Sequence, residues 1–167
     1  MTAARLSLWL VPDDPAPWSG LIAELARRFA GPPFPPHLTL VGGIVGEADV
    51  ARARLRVLAA ATPALRLSPL AIGHGATRHQ CLYALVRPDP ALAAARRAAA
   101  TAFARDVGDF LPHLSLFYGA LDDDARRALD AELSAVPLPP LRVDALALWS
   151  TDGDEGGWVE VAREALR

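Results

Sequence analysis

A five-residue pattern occurs twice in this chain and constrains it more than any other feature. It reads Pro36-His37-Leu38-Thr39-Leu40 in the first half and Pro112-His113-Leu114-Ser115-Leu116 in the second, 113 − 37 = 76 residues later. A glycine follows each copy closely, Gly43 in one case and Gly119 in the other. In a β-strand, residues i and i+2 share a face. Leu38 and Leu40 therefore point to one side and His37 and Thr39 to the other; Leu114 and Leu116 oppose His113 and Ser115 in the same way. A strand of this kind is stable only with its leucine face against a core. The fold must therefore hold two such strands in equivalent surroundings, with their imidazole–hydroxyl faces free to meet.

The segments around the two motifs repeat in the same order. Leu6 to Val11 alternates as a strand does, and Trp18 to Ala30 carries apolar residues at helical spacing up to Gly31-Pro32-Pro33. After the first motif, Glu47 to Ala61 reads as a helix, and Leu65 to Ile72 as a strand interrupted at Pro69, hence an edge or a bulge. Gly73 to Arg78 is a turn, Gln80 to Val86 a strand, and Pro90 to Ala104 a helix. The second motif leads to a helix over Asp122 to Ala135, a strand over Leu141 to Trp149, a turn over Thr151 to Gly157 and a closing strand over Trp158 to Ala162. Moving the first set by 76 residues lays its elements on the second, though little residue identity survives outside the motifs. The expectation is an α+β fold in one two-lobed domain, residues 1–167, with an internal repeat. Equivalent strands would then face each other across one groove.

Two imidazoles near neutral pH can divide the work of a general acid and a general base, because an unperturbed histidine titrates at about 6.5. A phosphodiester opened in line needs both, one on each side of the phosphorus. Thr39 and Ser115 then have a place as donors to the non-bridging oxygens, where negative charge gathers. A single His-x-Thr on a strand is usually structural, but here position, flanking residues and spacing all recur. A metal site is disfavoured: the chain has four histidines and one cysteine, with no His-Glu-x-x-His or Cys-x-x-Cys spacing.

Composition excludes several alternatives. The net charge is −2, whereas a protein that grips long nucleic acid usually carries a basic excess. All 17 basic residues are arginine, so a lysine Schiff base or P-loop lysine is ruled out. The arginine clusters (Arg27-Arg28, Arg52/Arg54/Arg56, Arg96-Arg97, Arg126-Arg127) fall on helices and read as solvated faces. The single cysteine, Cys81, cannot form an intramolecular disulfide and reads as an inert strand residue. No run reads as a signal peptide or a membrane span, which makes a cytoplasmic protein the expectation. His74 and His79 flank a glycine-containing turn; His74 reads as solvated, and His79 is balanced between solvent and site.

On these residues the chain resembles the two-histidine (2H) phosphoesterase superfamily, and within it the cyclic nucleotide phosphodiesterase (CPDase-like) branch. The resemblance runs from Ser7-Leu8-Trp9 to Trp158-Val159-Glu160-Val161 and includes Gly31-Pro32, Gln80-Cys81 and the extension of the second motif to Phe117-Tyr118. It implies a bilobal fold with two antiparallel sheets lining a central cleft and helices outside. It also implies hydrolysis, without metal or other cofactor, of a 2′,3′-cyclic nucleotide to a 2′-phosphate, or of ADP-ribose 1″,2″-cyclic phosphate to the 1″-phosphate. His37 and His113 would be the acid–base pair, with Thr39 and Ser115 binding phosphate. Trp9 and Tyr118 match aromatic positions at the cleft mouth, although Trp9 equally suits a core strand. His79 stands where a family member has an aromatic residue, which puts base preference in question. The expected partner is a small cyclic phosphate, and the expected state a monomer. The alternatives are an enzyme of RNA ends resembling the 2′-5′ RNA ligase-like branch, which would need a basic groove, and a non-catalytic nucleotide-binding module.

Overall fold

The computed structural model of the chain describes residues 4–106 and 108–167. Its strands are β1 (Ala4–Pro12), β2 (Leu38–Gly46), β3 (Leu65–Leu67), β4 (Pro69–His74), β5 (Leu82–Val86), β6 (His113–Phe117), β7 (Leu141–Ser150) and β8 (Val159–Ala165). The helices are α1 (Ala16–Phe29), α2 (Ala48–Ala61), α3 (Pro90–Ala102) and α4 (Asp123–Ser134). The α+β architecture is as expected, and every strand pairing is antiparallel.

The helix ends follow from local chemistry. Asp89 caps α3 by accepting from the backbone N–H groups of Ala91 and Leu92, ahead of a proline in the first turn. Asp122 caps α4 through Ala125, and Asp123 and Asp124 occupy the first turn, where the helix dipole favours anions. Helix α1 ends at Ala30 in the left-handed conformation, just before Gly31.

Eight strands form one sheet, in the order β3-β7-β1-β2-β6-β5-β4, with β8 alongside β7. The centre of that order is its thinnest place. Strands β2 and β6, which carry the two motifs, share one ladder pair, Leu38 with Leu114. The sheet thus divides into two lobes, one around β1, β2 and β7 and the other around β4, β5 and β6. Each lobe mixes the two halves of the sequence: β7 and β8 join β1, β2 and β3 in one, and β4 joins β5 and β6 in the other.

The leucine faces do what alternation requires. Leu38, Leu40, Leu114 and Leu116 are at most 1% exposed, alongside Leu6, Leu8 and Leu10 of β1, in a core that also holds Trp18, Ile22 and Leu25 of α1. Helices α1 and α3 reach across the lobes, α1 packing on β6 and α3 on β2, while α2 covers β7 and β8 and α4 covers β4. The opposite face, bearing the histidines, is left free of helices.

The sequence reading needs correcting at two elements. Residues 65–72 are not one strand. The segment breaks at Ser68, sending β3 to pair with β7 and β4 to pair with β5, at opposite ends of the sheet. Pro69 lacks the N–H that would continue a ladder, so it marks the place where the chain changes edges. The strand read from Gln80 begins instead at Leu82, because Arg78–Gln80 forms a short 3-10 turn and Cys81 follows it. Cys81 is buried and unpaired.

Candidate functional site

The β2–β6 register assembles the site. Leu38 faces Leu114, so the position numbers of opposed residues sum to 38 + 114 = 152. Continued one residue each way, that register would set His37 opposite Ser115 and Thr39 opposite His113. Opposed residues share a face, so on that register the two imidazoles and two hydroxyls would form a square, each histidine across from the hydroxyl of the other motif. On a regular ladder its sides are about 5 Å between Cβ atoms and its diagonals about 7–8 Å. The histidines would then lie on a diagonal, where two groups can act on opposite sides of one atom.

Both rings are anchored in the same way. Nδ1 of His37 lies 2.7 Å from the carbonyl of Pro35, and Nδ1 of His113 lies 2.7 Å from that of Leu111. A carbonyl only accepts, so each Nδ1 carries the hydrogen and each Nε2 is left to exchange a proton. A neighbouring strand braces each ring as well. Trp9, paired with Thr39 in the ladder, stacks on His37 at 3.6 Å between centroids and 11° between planes. Tyr83, paired with Ser115, lies 5.0 Å from the His113 ring.

The two histidines differ in environment. His37 is 5% exposed, and burial depresses its pKa to about 4; its bond to Pro35 opposes this and the positive charge of His113 adds to it. In the free protein at neutral pH His37 is therefore uncharged. His113 is half-buried and more open to solvent.

A cleft of about 220 Å³ opens beside His37, lined by Ser7, Trp9, Thr39, His79, Tyr118, Thr151 and Trp158. Tyr118 stacks on Phe34 at 3.8 Å and holds its hydroxyl 3.5 Å from Nε2 of His37, with Ser115 also in hydrogen-bonding reach. Its phenol pKa is pushed well above the ordinary value, chiefly by burial, so it stays a neutral donor. Ser115 donates to the backbone carbonyl of His79 at 3.1 Å. The Ser7 and Thr151 hydroxyls lie 3.1 Å apart on the cleft wall.

The four motif residues thus come together, with Tyr118 and His79 at the cleft. Trp9 also lines it, but not as a platform for a base. It is 2% exposed, with His37 over one side of the ring and Trp149 stacked at 4.8 Å, so no ring face is free. Its place is that of a brace for His37. His74 is not solvated either: its Nε2 lies 2.6 Å from Asp130 of α4, and its side chain is 16% exposed. Tyr83, Trp158 and Glu155 were not singled out from sequence. Tyr83 could have been found from the strand pattern, since it stands to Ser115 as Trp9 stands to Thr39. Glu155 sits in a Gly-Asp-Glu-Gly-Gly stretch that looks like a solvated turn, yet its side chain is 4% exposed and bonds Arg78 and His79. Among the described residues, no three His, Cys, Asp or Glu side chains converge as a metal site would require. No helix among them is long and apolar enough to cross a membrane.

The sequence matches the family described as the 2′-5′ RNA ligase superfamily over residues 11–155. No curated protein sequence matches it significantly. Among solved structures, Escherichia coli LigT complexed with 3′-AMP superposes with a TM-score of 0.65 at 22% identity, over 98% of each chain. A crystal structure titled simply as a phosphoesterase superposes at 0.62 with 21% identity, over 98% of each chain. A Thermus thermophilus protein gives 0.63 at 18% identity, again over 98% of each chain. These likenesses are of fold.

Proposed function

This chain belongs to the 2′-5′ RNA ligase superfamily, and from that premise we propose that it hydrolyses a small cyclic phosphodiester by two-histidine chemistry. The preferred substrates are a 2′,3′-cyclic nucleotide, opened to the 2′-phosphate, and ADP-ribose 1″,2″-cyclic phosphate, opened to the 1″-phosphate. On this proposal the chain would be of the cyclic nucleotide phosphodiesterase (CPDase-like) type. The observation that carries the reading is the pair of imidazoles anchored alike through Nδ1, with Nε2 of His37 turned toward the cleft-lining Tyr118 hydroxyl.

His37, uncharged in the free protein, takes a proton from water through Nε2 as the water oxygen bonds to phosphorus. The bond from phosphorus to the ribose oxygen breaks, and that oxygen receives a proton from Nε2 of protonated His113. Thr39 and Ser115 donate to the non-bridging oxygens, Ser115 by turning its hydroxyl away from the His79 carbonyl. Donors at developing charge are worth the most where water is excluded, as beside the buried His37. Both proton transfers use side chains of this chain alone, so the step calls on no metal.

The net charge of −2 favours a small substrate over an RNA strand. The cleft is about 220 Å³ and no arginine lines it. E. coli LigT has been crystallised with 3′-AMP, a ligand of mononucleotide size. The deciding experiment is a turnover panel in EDTA: 2′,3′-cyclic mononucleotides, ADP-ribose cyclic phosphate and an oligonucleotide ending in a cyclic phosphate. Turnover of the small substrates with weak salt dependence supports the proposal. Turnover of the oligonucleotide alone, with a KM that climbs steeply with salt, would assign the chain to RNA ends. Nucleotide binding without turnover of any of them would make it a binding module.

A further inference from the structure

Glu155 is a buried carboxylate to which the proposed chemistry gives no part. It lies in a 3-10 turn, Glu155–Gly157, between β7 and β8. Its Oε1 accepts from Nε of Arg78 at 3.1 Å and lies 3.1 Å from Nε2 of His79, while its Oε2 accepts from the Arg78 guanidinium at 3.2 Å. Arg78 and His79 are themselves in the 3-10 turn between β4 and β5, in the other lobe. The carboxylate is 4% exposed and its partners 54% and 57%, so a buried anion holds two exposed side chains from the opposite lobe, of which His79 lines the cleft.

The backbone of those two residues grips the second motif. The carbonyl of His79 accepts from the Ser115 hydroxyl at 3.1 Å, and that of Arg78 accepts from the Gly119 N–H at 3.1 Å. The turn at residues 78–80 is thus held by its side chains to one lobe and by its carbonyls to the strand of His113 and Ser115. Between the motif strands themselves there is only the one ladder pair. The helices tie the lobes on the far side of the sheet; on the cleft side the ion network reaches across.

We propose that Glu155 is a positioning residue: with Arg78 and His79 it forms a latch across the cleft that sets the separation of the two lobes, and so of His37 from His113. The latch rests on the proposed function only for its effect on rate; its effect on geometry stands alone. A displacement of about 1 Å in a reacting geometry can cost on the order of 10²-fold in rate. Loosening the latch therefore lowers kcat by about 10- to 100-fold and moves KM less than about threefold.

Two kinds of measurement on the intact chain test it. The first uses no substrate. Spin labels on cysteines introduced at Val45 of β2 and Leu70 of β4, both exposed and in different lobes, report the distribution of lobe separations. Amide exchange at Gly119 reports the grip of the turn. Glu155→Gln, which keeps the shape and removes the charge, is expected to broaden the distribution and speed exchange at Gly119 by at least tenfold. Arg78→Met is expected to do the same to a smaller degree, and serves if Glu155→Gln fails to fold. An unchanged distribution and unchanged exchange in a folded variant would overturn the latch. The second measurement is kinetic. The double variant should be no slower than the slower single, and Arg78→Lys should recover part of the loss. A loss in KM with kcat intact would overturn the spacing role and make Glu155 a binding residue. If the wild type turned over none of the panel while Glu155→Gln still broadened the distribution, the proposed function would fall and the latch would stand.

Discussion

Lowering the pH tests the burial of His37 directly. Its folded pKa is about 4, against about 6.5 for an unfolded histidine, because burial disfavours the charged ring. Between those values the unfolded chain binds a proton that the folded chain refuses, so stability rises with pH across the window. The contribution is fully present above about pH 6.5 and is lost as the pH falls toward 4. At about 1.4 kcal/mol per pKa unit, the difference of about 2.5 units amounts to about 3.4 kcal/mol in total; about 2 kcal/mol is gone by pH 5 and about 3 by pH 4. His37→Asn removes the titration while its amide can still donate toward Pro35. The variant starts less stable, since it gives up the stack on Trp9, so the measured quantity is slope and not level. Urea unfolding at half-unit steps from pH 7.5 to 4 should show the wild type losing about 3 kcal/mol more than the variant. The Cε1–H resonance of His37 should titrate near pH 4. Parallel stability curves with a resonance midpoint near 6.5 would refute the burial argument, and with it the assignment of His37 as the uncharged partner.

Other outcomes follow from the same geometry. His37→Ala and His113→Ala should each lower kcat by about 10²–10⁴, and the double variant should be far better than the product of the singles; this is read by single-turnover kinetics. The profile of kcat/KM should be bell-shaped, with limbs belonging to the coupled pair, and Thr39→Ala should keep the bell and lower its height by at most about 10²–10³. EDTA should leave turnover unchanged, and recovery of lost activity by zinc or manganese would contradict the two-imidazole account. Gly31→Ala should cost about 1–3 kcal/mol in denaturant and slow turnover, because the added Cβ would strike the Phe117 ring and lie 2.9 Å from the Tyr118 carbonyl.

Much of the site was legible in the sequence because it rests on local rules. Strand alternation sorted His37 and Thr39 from Leu38 and Leu40, and the recurrence of the motif gave His113 and Ser115 the same standing. Helices α1 to α4 were legible from apolar spacing and from Asp122, Pro90 and Gly31 at their ends. What escaped depends on residues far apart in the chain. No local pattern says that residues 65–67 and 69–74 go to opposite ends of a sheet. Asp130 is 56 residues from His74, so a histidine that looked solvated has a partner. Glu155 is 76 residues from His79, so a turn that looked open closes on a buried carboxylate. The Trp9 ring was ambiguous for the same reason: only the position of Trp149, brought beside it by the pairing of β1 with β7, covers its second face.

The exchange of strands between the lobes bears on how the chain is made. The ladder of β1 with β7 joins Leu6 to Ser150 and Leu10 to Leu146. As the polypeptide leaves the ribosome, β1 and β2 can form a hairpin-like pair early, but one edge of β1 stays open until residue 150 has been synthesised. At about 5–20 residues per second, the stretch from residue 12 to residue 150 takes on the order of ten seconds, and an unpaired apolar edge is a template for the wrong partner. The other lobe is better placed, since β4, β5 and β6 emerge in order and can close without waiting for β7. Folding on the ribosome would then begin with the lobe of His113, and the lobe of His37, whose buried ring most needs a finished wall around it, would close last.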